Sequence, residues 1–383
     1  MTGTESKAFR IGPIRPPSEA DSLLLQVTRG CTWNKCKFCQ LYRHTTFKAY
    51  SADSIKADID NMKYLSDIVK SYRHEGKWDI EGLNSRLAEL EYDEQESFYM
   101  LANWHIKGTG SVFLQDGNTT VLKDGRLSDV LIYLREAFPE IKRITSYGRA
   151  QNLAKTSAEE FAELKAAGLD RIHSGYESGS DEVLRLINKG VTQAEEITAG
   201  KNIKAGGIEL SVYFMPGVGG RDLTRENAEG MTHVINEVNP DFIRIRTSAV
   251  KPGTGLDEDL KNGTYFICSE DDKVREIRYL IDNSYNIDTV LASDHILNLL
   301  QHVEGSLRYD KEKMLDIIDS YLEMDEYDKR LFQAARRTLG ILKPEYIDRL
   351  SPAEYGRIKT MVDMSSDRYE WDMILNGIIS NYI

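Results

Sequence analysis

Between about residues 23 and 250 the chain alternates short strand-like runs with longer helix-like ones, and this alternation sets most of what it can fold into. The strand-like runs are Leu23–Thr28, Ser111–Leu114, Arg143–Tyr147, Arg171–Tyr176, Glu209–Met215 and Phe242–Arg246. Helical patterns occupy Ala52–Tyr64, Leu127–Phe138, Ser157–Ala167, Thr192–Ala205 and Arg225–Val238. Ser157 with Glu160 reads as a capping box, and Gly168 stops that helix. Six strands alternating with helices imply a parallel sheet with right-handed crossovers. In such sheets the chemistry gathers at the carboxyl ends of the strands.

Two stretches depart from the alternation. Residues 65–108 are polar and helix-prone (Leu83–Leu90, Glu94–Trp104) and read as an insertion between the first helix and the second strand. From 251 to 383 the pattern is all helical, with segments near 270–285, 293–303, 310–323, 326–339 and 352–381. Residues 1–22 form a polar, proline-containing extension. It has no apolar stretch of the kind a secretory signal needs, so a cytoplasmic protein is expected. No apolar run approaches the ~20 residues that span a bilayer. Lys+Arg 49 against Asp+Glu 61 gives −12. Such a surface repels phosphate backbones and argues against a nucleic-acid partner.

Three of the four cysteines lie within nine residues, in Gly30-Cys31-Thr32-Trp33-Asn34-Lys35-Cys36-Lys37-Phe38-Cys39, and the fourth is Cys268. In a reducing compartment crowded cysteines bind metal or do redox chemistry more often than they form disulfides. Three thiolates on one loop can each take one iron of a cubane cluster and leave the fourth iron open. A structural zinc site wants a fourth protein ligand, for which His44 is the near candidate. From Arg29 to Ala52 there are five Lys/Arg (Arg29, Lys35, Lys37, Arg43, Lys48), His44, and no Asp or Glu. That local field suits an anionic cluster–thiolate assembly.

A cysteine triplet after the first strand, with an aromatic (Phe38) directly before the last cysteine, resembles the radical S-adenosylmethionine (SAM) superfamily. The spacing here is four residues then two, where three then two is usual in that family. The resemblance implies a partial (β/α)6 TIM-like barrel and a [4Fe–4S] cluster on Cys31, Cys36 and Cys39. It also implies a flavodoxin- or ferredoxin-like reductant, and cleavage of SAM to a 5′-deoxyadenosyl radical that abstracts hydrogen from the substrate. Further stretches extend the likeness over about residues 23–250. Asp116-Gly117-Asn118, after the second strand, sits where the family holds the SAM ammonium group. Gly175-Tyr176-Glu177-Ser178-Gly179-Ser180 resembles a stretch shared by methylthiotransferases, the Elongator catalytic subunit and oxygen-independent coproporphyrinogen dehydrogenases. By that likeness Glu177 accepts from the SAM ribose, and Lys189 stands where relatives carry an arginine facing the SAM carboxylate. Ser146 and Arg149, ending the third strand, and Met215, ending the fifth, fall beside the same cofactor.

The substrate is less legible. No second cysteine set suggests an auxiliary cluster, and a small molecule is the leading expectation, with RNA or protein second. A non-catalytic iron–sulfur carrier or a zinc-stabilised scaffold are the rivals of another class. Strand alternation puts Arg244 and Arg246 on one face, where a buried arginine could hold a substrate carboxylate. A helix expected from Ser293 would align His295, Asn298 and His302 on one face, offering His295 as a proton donor or acceptor towards substrate.

Overall fold

The computed structural model describes residues 6–365 and 367–382. The expected strands all form, within a residue or two of their expected ends. They are β1 (Leu23–Gln26), β2 (Ser111–Gln115), β3 (Arg143–Tyr147), β4 (Arg171–Glu177), β5 (Glu209–Phe214) and β6 (Phe242–Ile245). Two short strands follow, β7 (Val290–Ala292) and β8 (Gly305–Ser306), completing an eight-stranded sheet in the order β1 to β8. β1 pairs parallel with β2, β2 with β3 and β3 with β4. β5, β6 and β7 are likewise parallel, and β8 runs antiparallel to β7. This is the parallel α/β arrangement that the alternation implies, and it is consistent with the partial TIM-like barrel that the resemblance implies.

The chain divides into two compact units. The first comprises the stretch to Asn34, His44–Ser174 and Asn202–Glu209. Its first two strands are built on apolar runs: Leu23, Leu24, Leu25, Val112, Phe113 and Leu114, with Ile144 of β3, are at most 1% exposed, as apolar runs in a parallel sheet should be. Helix α1 (Ala52–Ser71) starts at an N-cap, where Ser51 accepts from the Ser54 N–H. It buries Ile55, Ile59, Met62 and Leu65 at helical spacing and packs against α3 (Tyr92–Lys107) and α4 (Arg126–Ala137). The 65–108 stretch is therefore the end of α1, a two-residue hairpin, α2 (Ile80–Glu89) and α3. The capping box on Ser157 and Glu160 opens α5 (Ala158–Ala167), and Gly168, at φ +114°, closes it.

The second unit comprises Lys35–Arg43, Gly175–Lys201 and the chain from Leu210 onward. It holds α6 (Asp181–Leu186), α7 (Gln193–Ala205, continuing briefly into the first unit), α8 (Thr224–Val238), α9 (Gly255–Lys261) and α10 (Glu270–Asp282). Helices α11 (Lys311–Leu322), α12 (Glu326–Leu339), α13 (Pro352–Asp363) and α14 (Arg368–Ile379) complete it. Beyond residue 250 the chain is helical as expected apart from β7, β8 and one failed element. The helix expected near 293–303 is a loop. Asp294 and Asn298 are drawn out of helical register by partners some fifty residues earlier. Asn298 Nδ2 donates to Ile245 O, and its Oδ1 accepts from Thr247 N and Oγ1. Among the described residues, no helix is long and apolar enough to cross a membrane.

Candidate functional site

A short antiparallel ladder, Thr28 with Ala49 and Arg29 with Lys48, ties together the two ends of the loop that carries the cysteines. None of Cys31, Cys36 and Cys39 is in a disulfide, and all three are partly exposed. Among the described residues no three His, Cys, Asp or Glu side chains are gathered into a metal-binding array.

In the first unit, Asp116 and Asn118 secure the start of this loop. Asp116 Oδ2 accepts from Gly30 N at 3.3 Å, and Asp116 N donates to Thr28 Oγ1 at 3.2 Å. Asn118 Nδ2 donates to Thr32 Oγ1 (3.2 Å) and Asn152 Oδ1 (2.8 Å), while its Oδ1 accepts from Thr120 Oγ1 and Arg149 N. Sequence reasoning reads these two as acceptors for a cation. In the fold the Asn118 oxygen serves the protein's own donors, because a buried amide must be satisfied. Gly117 occupies the bend between them. Ser146 is fully buried, hydrogen-bonded to Thr119 Oγ1 and to Tyr147 O. Arg149 places its guanidinium 5.4 Å from the Trp33 ring centre, next to the cysteine segment.

The second unit holds the rest of the loop. Lys37 N donates to Ile187 O (2.8 Å), Asn188 Nδ2 to Lys35 O (3.0 Å) and Leu256 N to Lys37 O (3.0 Å). Lys37 also pairs with Asp259 at 2.7 Å, so part of the basic field around the cysteines is neutralised by a carboxylate distant in sequence. Phe38 packs with Met215 against a cluster of Val183, Ile187, Val218, Val250, Leu256, Tyr265 and Ile267.

Glu177 and Lys189 come together beside Phe38. Lys189 Nζ lies 3.0 Å from Glu177 Oε1, with the side chains 11% and 12% exposed, and 5.6 Å from the centre of the Phe38 ring. Glu177 ends β4 with φ +69°, a left-handed conformation that costs a non-glycine residue of order 1–3 kcal/mol. Its carbonyl accepts from Met215 N, which fixes the turn after β5 against it. A Cβ on Gly175 would stand 2.3 Å from Glu177 Oε1, so this glycine makes the room in which the pair sits. Sequence reasoning names Glu177, Lys189 and Met215 but not Gly175; a glycine two residues before Glu177, on the same face of the strand, is the signal that could have flagged it.

Two further residues support the Met215-Pro216-Gly217 turn. Asn227 Nδ2 donates to Met215 O and to Glu276 Oε2, and Gly217 N donates to Glu276 Oε2 at 2.9 Å. Nothing in the local sequence of α8 or α10 marks either residue. Burial pushes the Glu276 carboxyl up to about 8, against the hydrogen bonds from Gly217 and Asn227 that favour its charged form. It is therefore protonated at neutral pH in the fold and ionised when unfolded. Folding holds a proton that unfolding releases, so stability falls as pH rises from about 4.5 towards 8. The isosteric Glu276→Gln keeps the acceptor and removes that penalty. Its unfolding free energy should gain on the wild type as pH rises from 5 to 9, by up to a few kcal/mol at ~1.4 kcal/mol per pH unit, and its melting temperature should gain with it. Parallel melting-temperature profiles for the two proteins would contradict this.

The substrate-directed residues lie at the end of β6. Arg244 and Arg246 share Asp294, which replaces the expected helix N-terminus with an ion-paired loop; the distances are 2.7 Å each. Asn298 is buried and pinned to Ile245 and Thr247, a structural task rather than one facing substrate. Burial, reinforced by Arg246, drops the His295 imidazole to about 4, so at neutral pH it is an uncharged ring and not the proton donor a histidinium would be. His302 does not share a helix face with either residue. Cys268 is 1% exposed, and burial pushes its thiol well above the usual range.

The Radical SAM superfamily profile matches residues 25–228, just over half of the 383-residue chain. The chain belongs to the radical SAM superfamily, and its cofactors are those of that family, a [4Fe–4S] cluster and SAM. The tRNA uridine(34) acetyltransferase of Methanocaldococcus jannaschii is 27% identical over 122 residues, which cover 32% of this chain and 23% of that protein. The 4′-phospho-dehydrooxetanocin synthase of Priestia megaterium is 26% identical over 199 residues, covering 51% and 23% respectively. The chain thus spans less than a quarter of the length of either relative. Among solved structures, the Escherichia coli coproporphyrinogen III oxidase, a radical SAM enzyme, aligns with a TM-score of 0.43 at 15% identity. That alignment covers 68% of this chain and 51% of that one.

Proposed function

We propose that this chain reductively cleaves SAM and uses the product to abstract hydrogen from a small-molecule substrate. The observation that carries the reading is the meeting of Phe38, Glu177, Lys189 and Met215. These four were singled out separately, on three different segments of the sequence, for the same cofactor, and the fold of the second unit brings them to one place. In this reading Cys31, Cys36 and Cys39 hold the cluster, and the thiol chemistry fits: three partly exposed cysteines outside any disulfide, on a loop without a carboxylate of its own. Bound there, the cluster supplies one electron to SAM; the hard chemistry belongs to the cofactors. The protein's part is orientation. Glu177 accepts from the ribose hydroxyls, Lys189 faces the SAM carboxylate, and Phe38 and Met215 give the adenine an apolar wall that excludes water.

A small molecule fits a surface of net charge −12 better than RNA does. One relative is named for a tRNA uridine, so an RNA substrate is the second reading. The test is anaerobic reconstitution with iron and sulfide. The protein should take up about four irons per chain, and Cys268→Ala should take up as many. Zinc as the resident metal with no iron uptake would overturn the reading, and loss of iron in Cys268→Ala would return that thiol to the ligand set.

A further inference from the structure

On β5 and β6, alternation separates two faces. Val212, Phe214, Ile243 and Ile245 form one of them, fully buried and apolar. The other carries the polar groups: Ser211 and Tyr213 on β5, Arg244 beside Phe242 on β6, and Arg246 just after it, continuing to Met215. It too is largely shielded from water, with Ser211 fully buried and the arginine side chains 7% and 14% exposed. Arg244 Nε donates to Ser211 Oγ (3.1 Å) and its Nη1 to Asp294 Oδ2; Arg246 Nη1 donates to Asp294 Oδ1 and to Ile245 O. The Arg246 guanidinium lies 4.9 Å from the centre of the Tyr213 ring.

Two features of this arrangement call for a ligand. Among the described residues, Asp294 is the carboxylate that both guanidinium groups share, so two positive charges face one negative charge. In addition, Arg246 Nη2 is buried with no hydrogen-bond acceptor. A buried charged donor left unsatisfied is destabilising and needs a reason beyond packing. His295 and Lys251 add a donor and positive charge nearby. His295 Nδ1 accepts from Leu297 N, which leaves its Nε2–H as the donor. Lys251 contributes further positive charge near that ring.

We propose that Arg246, with Arg244 and Asp294 holding it in place, binds an oxyanion of a small-molecule substrate, a carboxylate or a phosphate. Planar guanidinium groups suit such anions through paired N–H···O bonds. Shielded arginines fit a small anion that enters the site. RNA phosphates are met on exposed basic surface, whereas these two arginines are shielded. The inference deepens the functional reading above, because it takes this face to be where the substrate lies.

The test uses the reconstituted full-length protein, with malonate, phosphate and sulfate as probes below about 20 mM, where general salting effects are small. Chloride at matched ionic strength is the control. At least one oxyanion should raise the wild-type melting temperature saturably, by about one to three degrees. In Arg246→Gln the concentration for half the shift should rise at least about tenfold; in Arg246→Lys, which keeps the charge but not the fork, it should rise by less. If Arg246→Gln fails to fold, the Arg246→Lys comparison decides. No saturable shift in the wild type, or the same half-shift concentration in the variants, would overturn the proposal. A protein that cleaves SAM without an Arg246-dependent shift loses this inference alone. One that shows the shift but cannot cleave SAM loses the functional reading alone.

Discussion

Replacing Cys31, Cys36 or Cys39 by alanine is expected to abolish cluster loading and SAM cleavage, each change sufficing by itself. Each thiolate holds one iron, and two thiolates on a loop leave two irons without a protein ligand. Cys268 is buried, and burial keeps its thiol protonated, whereas only a thiolate ligates. Nor is the loop free to slide to a new register. Residues 35–37 are fastened to Ile187, Asn188 and Leu256 through the backbone, and Lys37 to Asp259 through its side chain. Iron and sulfide per chain, with the visible absorbance of the cluster, read the result. A single-alanine variant that kept its full iron would remove that cysteine from the ligand set.

Glu177→Gln carries the second-largest expected effect, and it falls on SAM rather than on iron. The carboxylate is proposed to accept from the ribose hydroxyls, and losing a charge-assisted hydrogen bond costs ~1.5–3 kcal/mol, about ten- to a hundred-fold in affinity. The substitution also leaves the Lys189 ammonium beside a neutral amide where it now meets a carboxylate at 3.0 Å. Loss of that counter-charge weakens the placement of the lysine at the same time. Equilibrium SAM binding to the reconstituted variant measures this, with iron content as the control. Wild-type affinity in a protein of normal iron content would take Glu177 out of the site.

The strands of the sheet could be read from the sequence because their signal is local. Leu23-Leu24-Leu25 and Val112-Phe113-Leu114 are continuous apolar runs bounded by polar residues, and a buried parallel strand needs just that. Glu177 and Lys189 were legible through family likeness, and the fold adds what the likeness lacks: their direct pairing, and the Gly175 gap that admits it. The residues that stayed hidden depend on partners far along the chain. Ile296, Leu297, Leu299 and Leu300 look like the apolar side of a helix, yet Asp294 answers to Arg244 and Arg246, and Asn298 answers to Ile245 and Thr247. The carbonyls of Ile296, Leu297 and Asn298 accept from Arg336 and Arg337 instead, so these groups are satisfied without helical hydrogen bonds. β7 was missed for a related reason: three residues carry too little pattern, and it is pairing with β6 that makes Val290–Ala292 a strand. Glu276 and Asn227 lie on helices whose sequence serves the helix, and their meeting under Gly217 exists only in three dimensions.

The central claim is that this chain cleaves SAM at a cluster on its cysteine loop, and product analysis tests it most directly. The reconstituted protein is incubated anaerobically with SAM and dithionite, and the mixture is separated by chromatography. The account predicts release of 5′-deoxyadenosine and methionine by the wild type and none by Cys36→Ala. A wild-type protein that carries its full complement of iron, binds SAM and still releases no 5′-deoxyadenosine would contradict it.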